Sequence, residues 1–332
     1  MAKESFLVIG AGAWGTALSI RLAKNELEVS LTSRDKENLS EIRKTKENKK
    51  YLPGINIPES INIKDEILPC LANSSVVLLC VKSSGFKKIA AELNNHMGPE
   101  QKLIWATKGL DPDTGETFSE TIKKKMPSLN KTAIISGPTF AEEVAKGKPT
   151  AITLASENIK QLSDLANIMS SSSFRVYTSS DIVGVQLGGA FKNIIAIAAG
   201  ASDALSLGAN ARTALITRGL EEMKSIGIAF GAKPETFFGL SGLGDLVLTS
   251  TDNQSRNRRL GLLIGSGISL NKAIEKLGTT PEGVYAVKAL YNKQALHEDL
   301  PIANAVYSIL FEGVPAESLV EKLMTRPLKE EL

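Results

Sequence analysis

The sequence predicts an α/β protein with two domains: a doubly wound, mostly parallel β-sheet in residues 1–180 and an all-helical domain in residues 181–332. In the first half, continuous apolar runs alternate with stretches that can be helical, which is typical of a parallel sheet covered by helices on both faces. After about Asp181 the strand signals stop and helical periodicity continues to the end. A chain of 332 residues is long enough to bury two hydrophobic cores.

Seven short β-rich runs define the predicted sheet. They are residues 6–9, 28–32, 76–81, 103–106, 133–136, 151–154 and 174–177. The many charges of residues 36–50 indicate a solvated helix instead. In the second half, six segments with helical patterns are separated by proline and glycine. These segments are residues 183–201, 211–228, 256–264, 270–277, 284–294 and 302–311.

Composition restricts the class of function. A hydrophobic content of 42% and a charged content of 23% are typical of a globular protein. The net charge of +3 argues against a broad nucleic-acid surface, but it allows a local cationic site for a small anion. The first apolar run is too short for a signal peptide, and no run of about 20 apolar residues occurs. We expect a cytoplasmic protein without membrane insertion.

The cysteines and histidines predict neither a disulfide framework nor a metal site. Cys70 and Cys80 form at most one pair, and Cys80, inside an apolar run, is predicted as a buried, unpaired thiol in a strand. His96 and His297 lie far apart in the chain without metal-ligand spacing around them.

A glycine-rich turn follows the first predicted strand, with the sequence Gly10-Ala11-Gly12-Ala13-Trp14-Gly15. Gly10 allows a tight turn, Gly12 lets the backbone approach a pyrophosphate, and Gly15 lets the next helix pack closely on the sheet. The amino terminus of that helix favours phosphate binding. In this context, between a strand and a helix, the motif predicts a Rossmann-type dinucleotide-binding domain.

The end of the second strand predicts the kind of dinucleotide. NAD-selective sites usually carry an acidic residue there, which binds the ribose 2′-hydroxyl. Here Ser33 and Arg34 occupy that position, and Arg34 is suited to pair with the 2′-phosphate of NADP. Asp35 follows directly and could still bind the ribose hydroxyl of NAD, so the expected cofactor is NADP or NAD.

A single lysine, Lys192, lies within a stretch of apolar, small and amide residues between Asp181 and Asp203. Desolvation in such surroundings lowers the pKa of a lysine, which then suits acid–base catalysis near neutral pH. The alternative is a lysine that extends from the edge of a core helix to solvent. Asp245, after a glycine-rich turn, is a candidate partner, or else a helix cap.

Ten residues after Asp245, the sequence Ser255-Arg256-Asn257-Arg258-Arg259 offers hydrogen-bond donors and a guanidinium group suited to phosphate. A helix that begins here would add backbone donors. The alternative, a solvated basic helix end, is expected to describe Arg258 or Arg259.

Taken together, these motifs resemble the bacterial NAD(P)-dependent glycerol-3-phosphate dehydrogenase family over nearly the whole chain. The resemblance rests on residues 10–18, 51–55, 106–110, 136–141, 188–193, 240–245 and 255–259. Two departures are minor, Phe191 where leucine is common and Ser250 where cysteine is common. The resemblance implies a helical second domain like that of 6-phosphogluconate dehydrogenase. It also implies reversible oxidation of sn-glycerol 3-phosphate to dihydroxyacetone phosphate, in support of phospholipid synthesis.

The resemblance also implies roles for single residues. Lys192 would accept the proton of the substrate C2 hydroxyl, with Asp245 orienting it and Lys108 stabilising charge on the oxygen. The implied substrate contacts are Lys108, Gly137, Thr139, Lys192, Asp245, Ser255, Arg256 and Asn257. The implied cofactor contacts are Ala13, Trp14, Arg34, Lys108, Ala141, Arg256 and Glu282, beside the glycine-rich turn. No metal is expected.

Two other functions stay open at this point. A related two-domain dehydrogenase, acting on a hydroxy acid such as 6-phosphogluconate or pantoate, would share the fold and the lysine. A non-catalytic NADP-binding sensor would share the glycine-rich turn, but it would not need Lys192, Asp245 and Lys108 together. A homodimer is the default expectation for a cytosolic enzyme of this size.

Overall fold

A computed structural model describes residues 4–296, 299–318, 320 and 325, without the side chains of residues 159–162. His297 and most of the chain after residue 318 lie outside the described residues. Strands fill the first half. They are β1 (Ser5–Ile9), β2 (Glu28–Thr32), β3 (Glu47–Asn48), β4 (Leu52–Asn56), β5 (Ile61–Lys64), β6 (Val76–Leu79), β7 (Lys102–Trp105), β8 (Thr132–Ser136), β9 (Thr150–Ala155) and β10 (Phe174–Ser179).

Eight of these strands form one sheet in the order β10-β9-β8-β7-β6-β1-β2-β5. All neighbours pair in parallel except β8 and β9, which are antiparallel. The chain builds outward from β1 through β2, then returns to β6 and builds in the opposite direction. The boundary between β1 and β6 is therefore a topological switch point, where ligands bind at the carboxyl ends of the strands.

The sheet is buried on both faces, as its continuous apolar runs predict. Along β1, Phe6 and Val8 belong to the hydrophobic cluster on one face, whereas Leu7 and Ile9 belong to the cluster on the other. Successive side chains of a strand point to opposite faces, so a strand between two layers of helices needs apolar residues at every position.

Helices cover the sheet and form the second half. In the first half they are α1 (Ala13–Lys24), α2 (Lys36–Thr45), α3 (Leu68–Leu71), α4 (Ser83–Asn94), α5 (Phe118–Lys125), α6 (Ala141–Lys146) and α7 (Ile159–Met169). In the second half they are α8 (Ile182–Ala204), α9 (Gly208–Ala229), α10 (Asp245–Thr251), α11 (Arg256–Gly265), α12 (Leu270–Leu277), α13 (Glu282–Asn292) and α14 (Pro301–Tyr307). A 3₁₀ turn, Pro234–Phe238, and two π-helical turns, Leu240–Gly244 and Ser308–Glu312, complete these elements.

The predicted α/β class and every predicted strand are confirmed, but two details are wrong. The charged segment does not stay helical to residue 50, because α2 ends at Thr45 and Lys46 adopts a left-handed conformation. A short antiparallel hairpin of β3 and β4 follows instead. Strand β6 ends at Leu79, so Cys80 lies beyond the strand and is partly rather than fully buried.

Helix α8 is the centre of the helical half. It packs against α9, α10, α11 and α13, and its apolar side chains belong to the core of this half. By length and composition it is the one described helix that is able to cross a membrane, yet 94% of its most apolar window is buried inside the protein. That burial is typical of a core helix, and it makes Lys192 a cation inside a hydrophobic layer.

Candidate active site

The glycine-rich turn lies at the switch point, directly after β1. Gly10 has φ of +121°, and a Cβ atom there would lie 2.4 Å from the carbonyl oxygen of Cys80. A Cβ atom on Gly15 would lie 1.9 Å from the carbonyl oxygen of Gly10. A Cβ atom on Gly12 would meet nothing within 4 Å. Gly10 and Gly15 therefore permit close packing of α1 on the sheet, while Gly12 faces open space suited to a pyrophosphate.

Three other predicted cofactor residues lie around this turn. Ala13 and Trp14 begin α1, and Ala141 begins α6, which packs against α1. The indole nitrogen of Trp14 is buried without a hydrogen-bond partner in the described residues. Because buried polar groups are usually paired, this nitrogen fits a site that a dinucleotide completes.

A surface groove of about 370 Å³ opens at the end of β2. Its lining includes two cations (Arg34 and Lys36), the hydroxyl group of Ser33, the exposed Leu68 and two carboxylates (Glu66 and Glu92). The cations and the hydroxyl group suit a ribose phosphate and Leu68 offers an apolar surface to a base, whereas the two carboxylates favour an uncharged ribose. The groove is therefore compatible with the adenosine end of NADP or of NAD.

Asp35, the residue that would allow NAD to bind, already has two partners in the structure. Its Oδ1 accepts a hydrogen bond of 3.0 Å from the backbone N–H of Asn38 and so caps α2. Its Oδ2 forms an ion pair of 2.7 Å with Lys50, and both contacts lower its pKa. A carboxylate held in this way is poorly placed to bind a ribose hydroxyl as well.

One carboxylate and two ammonium groups meet at the boundary of the two halves. Asp245, the first residue of α10, is completely buried. Its Oδ1 accepts a hydrogen bond from Lys192 Nζ, and its Oδ2 accepts one of 2.6 Å from Lys108 Nζ. Asp245 makes no side-chain cap on α10, so the alternative of a helix cap is wrong.

The pKa of Lys192 is lowered to about 7. Desolvation is the largest cause, and the positive charge of Lys108 lowers the pKa further, whereas the Asp245 carboxylate raises it. The Lys192 side chain is only 7% exposed, so the alternative of a lysine that reaches bulk solvent is wrong. A buried amine with this pKa is able to exchange a proton at neutral pH.

Two adjacent glycines of α8 make this arrangement possible. A Cβ atom on Gly188 would lie 2.4 Å from the carbonyl oxygen of Ser241, in the π-helical turn before Asp245. A Cβ atom on Gly189 would lie 2.8 Å from Ser136 Oγ and 3.6 Å from Lys108 Cγ. Larger residues at either position would push α8 away from the turn and from the end of β8.

The segment after β8 brings further predicted substrate residues to the same point. The Gly137 carbonyl oxygen accepts hydrogen bonds of 3.1 Å from both Lys108 Nζ and Thr139 Oγ1. Gly137 has φ of +153°, and a Cβ atom there would lie 3.0 Å from Ile152 Cα. Lys108, Gly137 and Thr139 therefore form one cluster beside Asp245.

The basic cluster, residues 255–259, lies at the start of α11. Ser255 caps this helix by accepting a hydrogen bond of 3.2 Å from the Arg258 N–H, and Arg256 and Arg259 are exposed. Arg258 is buried and forms an ion pair of 2.7 Å with Asp203. Arg258 is therefore not part of a solvated helix end, whereas the exposure of Arg259 agrees with that alternative.

Asn257 joins three helices. Its amide nitrogen donates to Asn193 Oδ1 at 2.8 Å, next to Lys192, and its Oδ1 accepts from the Gly283 N–H at 2.9 Å, next to Glu282. One of the two amide hydrogens of Asn257 therefore forms a hydrogen bond within the protein, and the second is available to a ligand. Burial raises the pKa of Glu282, and the positive charge of Arg256 is among the smaller effects that lower it, so these two predicted cofactor residues lie near each other.

The sequence analysis did not identify two residues that lie at the site. Thr249 Oγ1 accepts a hydrogen bond of 2.8 Å from Lys192 Nζ, and its position four residues after Asp245, on the same helix face, was the available signal. Ser136 is buried beside Gly189, and its hydroxyl has no partner in the described residues. No group of histidine, cysteine or acidic residues in the described part of the chain is arranged to hold a metal.

Comparison with known proteins assigns the family. The sequence model of the NAD-dependent glycerol-3-phosphate dehydrogenase N-terminus matches residues 5–162, and that of the C-terminus matches residues 181–321. The chain belongs to this dehydrogenase family. A glycerol-3-phosphate dehydrogenase [NAD(P)+] of Shigella flexneri serotype 5b is 44% identical, and the match covers 99% of this chain and 98% of the relative.

Solved structures agree with the assignment to the glycerol-3-phosphate dehydrogenase family. The crystal structure of glycerol-3-phosphate dehydrogenase from Coxiella burnetii superposes with a TM-score of 0.93 at 38% identity, over 98% of this chain and 99% of that one. A ketopantoate reductase from Ralstonia eutropha JMP134 superposes with a TM-score of 0.58 at 16% identity, over 96% of this chain and 99% of that one. The second likeness shows a shared fold alone.

Proposed function

We propose that this protein interconverts sn-glycerol 3-phosphate and dihydroxyacetone phosphate with NADP or NAD as cofactor. Residues 1–180 would bind the cofactor, and residues 181–332 would supply the acid–base group and the phosphate site. The observation that carries the proposal is the buried Lys192–Asp245–Lys108 cluster, which joins these two halves beside the switch point. The bound dinucleotide supplies or accepts the hydride.

The side chains of the cluster have separate roles in proton transfer, in orienting the amine and in stabilising charge. In reduction, Lys192 in its ammonium form gives a proton to the oxygen on C2, and in oxidation the neutral amine removes that proton. Asp245 and Thr249 orient the amine through their hydrogen bonds. Lys108 stabilises negative charge on the same oxygen. Gly137 and Thr139 line the substrate side of this cluster.

The basic cluster favours a phosphate ester over a simple hydroxy acid. Arg256 stands at the first position of α11 and is exposed, so its guanidinium and the backbone N–H groups at the start of this helix are available to an anion. Ser255 and the second amide hydrogen of Asn257 add donors. A divalent phosphate makes use of all of these groups, which a single carboxylate of pantoate does not.

The experiment that tests the reaction follows NADPH oxidation with three substrates under identical conditions. Dihydroxyacetone phosphate should support turnover, whereas ketopantoate and unphosphorylated dihydroxyacetone should not at equal concentration. Turnover with ketopantoate would instead support the alternative hydroxyacid dehydrogenase. Cofactor binding without turnover on any substrate would support the non-catalytic sensor.

Replacement of Arg256 with alanine should lower kcat/KM for dihydroxyacetone phosphate about 10-fold to 100-fold, because hydrogen bonds to charged groups contribute about 1.5–3 kcal/mol each. Most of the loss should appear in KM. The matched control is Arg259→Ala, which removes an exposed arginine from the same helix. An unchanged kcat/KM in Arg256→Ala would exclude the phosphate role.

Replacement of Arg34 with alanine should lower kcat/KM for NADPH about 10-fold or more and leave that for NADH nearly unchanged, since NADH lacks the 2′-phosphate. Both cofactors are measured with saturating dihydroxyacetone phosphate. The control is Arg43→Ala, which removes an exposed arginine that pairs with Asp65. An NADPH preference that survives Arg34→Ala would contradict the assigned role.

The remaining proposals concern the cell. We propose a cytoplasmic location, a homodimer, no nucleic-acid partner, and the supply of glycerol 3-phosphate for phospholipid synthesis. Light scattering of the purified protein checks the dimer, since a monomer has a mass of 35.5 kDa.

A further inference from the structure

Gln186 is a buried amide that joins the two halves of the chain. It lies on α8, before Lys192, and is 1% exposed. Its Nε2 donates a hydrogen bond of 3.3 Å to the Gly109 carbonyl oxygen. Its Oε1 accepts one of 3.3 Å from the backbone N–H of Ser119. One side chain of the helical half therefore binds two backbone segments of the first half, the loop after β7 and the start of α5.

The two backbone groups that Gln186 binds need partners from outside their own elements. Ser119 is the second residue of α5, and the first N–H groups of a helix have no partner within that helix. Thr117 caps α5 by accepting from the N–H of Glu120 and not from that of Ser119. Gly109 lies in the irregular segment after β7, with φ of +120°. Because buried backbone groups are usually paired, an amide suits this position, since it offers both a donor and an acceptor.

Gly109 directly follows Lys108, so the hydrogen bond from Gln186 fixes the backbone next to this lysine. Gly189 lies three residues after Gln186, on the same face of α8. A Cβ atom on Gly189 would lie 3.6 Å from Lys108 Cγ, so α8 also lies close to the lysine stem. The Lys108 ammonium group reaches Asp245 Oδ2 at 2.6 Å. Helix α8 therefore holds Lys108 both at its backbone and along its side chain.

The position of Lys108 matters because its ammonium group shares the Asp245 carboxylate with Lys192. Lysine has a flexible stem, and the Lys108 side chain is 18% exposed. The ammonium group is therefore able to leave the carboxylate when the backbone of Lys108 shifts. A contact that fixes this backbone also fixes how the negative charge is divided between the two amines.

We infer that Gln186 is a positioning residue, which keeps Lys108 on Asp245 and thereby sets how readily Lys192 releases its proton. This inference rests on the proposed function, in which Lys192 exchanges that proton with the substrate oxygen on C2. Gln186 acts through the backbone of Gly109. In the described part of the chain it has no hydrogen bond to the Lys192–Asp245–Lys108 cluster itself.

The charges around the Lys192 amine give the direction of the effect. Desolvation is the main cause that lowers the pKa of Lys192 to about 7. The charged groups of the described residues that act on this amine are Asp245 on α10, which raises the pKa, and Lys108 from the loop after β7, which lowers it. Thr249 adds an uncharged hydroxyl group. If Lys108 left the carboxylate, the pKa of Lys192 would therefore rise, and the ammonium form would persist to higher pH.

The test measures the pH dependence of kcat/KM for the reduction of dihydroxyacetone phosphate with NADPH. Gln186→Met keeps the length of the side chain and removes both hydrogen bonds. The midpoint of its profile should lie about 0.5 pH unit or more above the native midpoint, because a nearby positive charge acts less strongly on Lys192. Its kcat should fall about 10-fold, because Lys108 is no longer held beside the reacting oxygen. Lys108→Met should move the midpoint in the same direction by at least as much.

A double variant separates positioning from a general loss of structure. If Gln186 acts through Lys108, Gln186→Met should change neither the midpoint nor kcat further in the Lys108→Met background. A role in stability alone would lower kcat by the same factor in both backgrounds. Gln186→Asn keeps a polar side chain whose amide is too short to reach Gly109. It should shift the midpoint in the same direction, and it replaces Gln186→Met in every comparison if that variant does not yield folded protein.

The matched control is Gln101→Met, because Gln101 binds backbone groups in the same way. Its Nε2 donates to the carbonyl oxygens of Leu71 and Ser74, and its Oε1 accepts from the N–H of Gly98. This variant should lower Tm and leave the midpoint at the native pH.

The inference is overturned if the midpoint of Gln186→Met is unchanged or lower, or if its loss of kcat is the same in the native and Lys108→Met backgrounds. A shift of the midpoint in Gln101→Met as large as that in Gln186→Met would also overturn it. A native protein that does not turn over dihydroxyacetone phosphate would refute the proposed function itself, before any variant is compared.

Discussion

Replacement of Lys192 with alanine is expected to lower kcat for dihydroxyacetone phosphate reduction about 10²-fold to 10⁴-fold, the usual contribution of a positioned acid–base group. The dissociation constant for NADPH should stay close to the native value, because Lys192 lies on α8, away from the glycine-rich turn. Steady-state rates and fluorescence titration with NADPH measure the two quantities separately. Near-native turnover would remove Lys192 as the proton donor.

Two further measurements sharpen this result. Added methylamine should restore part of the lost reduction rate in Lys192→Ala, because a small amine fits the space that the side chain leaves. The rescue should decline as the pH rises through the pKa of the amine, since the ammonium form is the proton donor. Lys87→Ala is the control, since Lys87 is exposed on α4. An equal acceleration of Lys87→Ala by methylamine would point to a nonspecific effect of the amine.

Replacement of Asp245 with asparagine is expected to lower kcat about 10²-fold or more and to move the pH dependence. In the native protein the pKa of Lys192 is about 7, so kcat/KM for reduction should fall above about pH 7, and that for oxidation should rise and level off there. The Asp245 carboxylate raises this pKa, while desolvation and Lys108 lower it. Without the carboxylate, the midpoint should therefore move below about 7 in both directions.

Profiles of kcat/KM between about pH 5 and 9 measure the midpoint. Asp65→Asn is the control, because Asp65 forms an exposed ion pair with Arg43 and has no contact with the Lys192–Asp245–Lys108 cluster among the described hydrogen bonds and ion pairs. Thermal unfolding of both variants separates a shift in pKa from a loss of folded protein, since removal of one partner from a buried ion pair also destabilises the fold. A native midpoint in Asp245→Asn would show that Lys192 does not set the pH profile.

The sheet could be predicted because its strands are buried on both faces and are therefore apolar at every position. The strands that were missed lack this signal. Strand β5 is four residues long, lies at the sheet edge and alternates Ile61 and Ile63 with polar residues. The β3–β4 hairpin lies within a charged segment. It is fixed by tertiary contacts, since Asn48 is buried and donates to the Ala11 carbonyl and to Thr16.

The site could be predicted only where a residue was unusual in its own sequence surroundings. Lys192 was such a residue, since it is the only charged residue between Asp181 and Asp203. The sequence did not predict that Lys108 and Lys192 donate to the same Asp245 carboxylate. That contact depends on the close approach of α8 to the end of β8 at Gly189. For the same reason, the sequence did not decide which of Arg258 and Arg259 is solvated, since Asp203, the partner of Arg258, lies on another helix.

The distribution of the Asp245 carboxylate between two amines makes the catalytic group sensitive to the relative position of the halves. Lys108 comes from the loop after β7, whereas Lys192 and Asp245 come from the helical half. The positive charge of Lys108 lowers the pKa of Lys192 in addition to desolvation, and the Asp245 carboxylate raises it. A change that moved Lys108 away from Asp245 would therefore raise the pKa of Lys192. The protonation of Lys192 is thus coupled to the contact between the two halves.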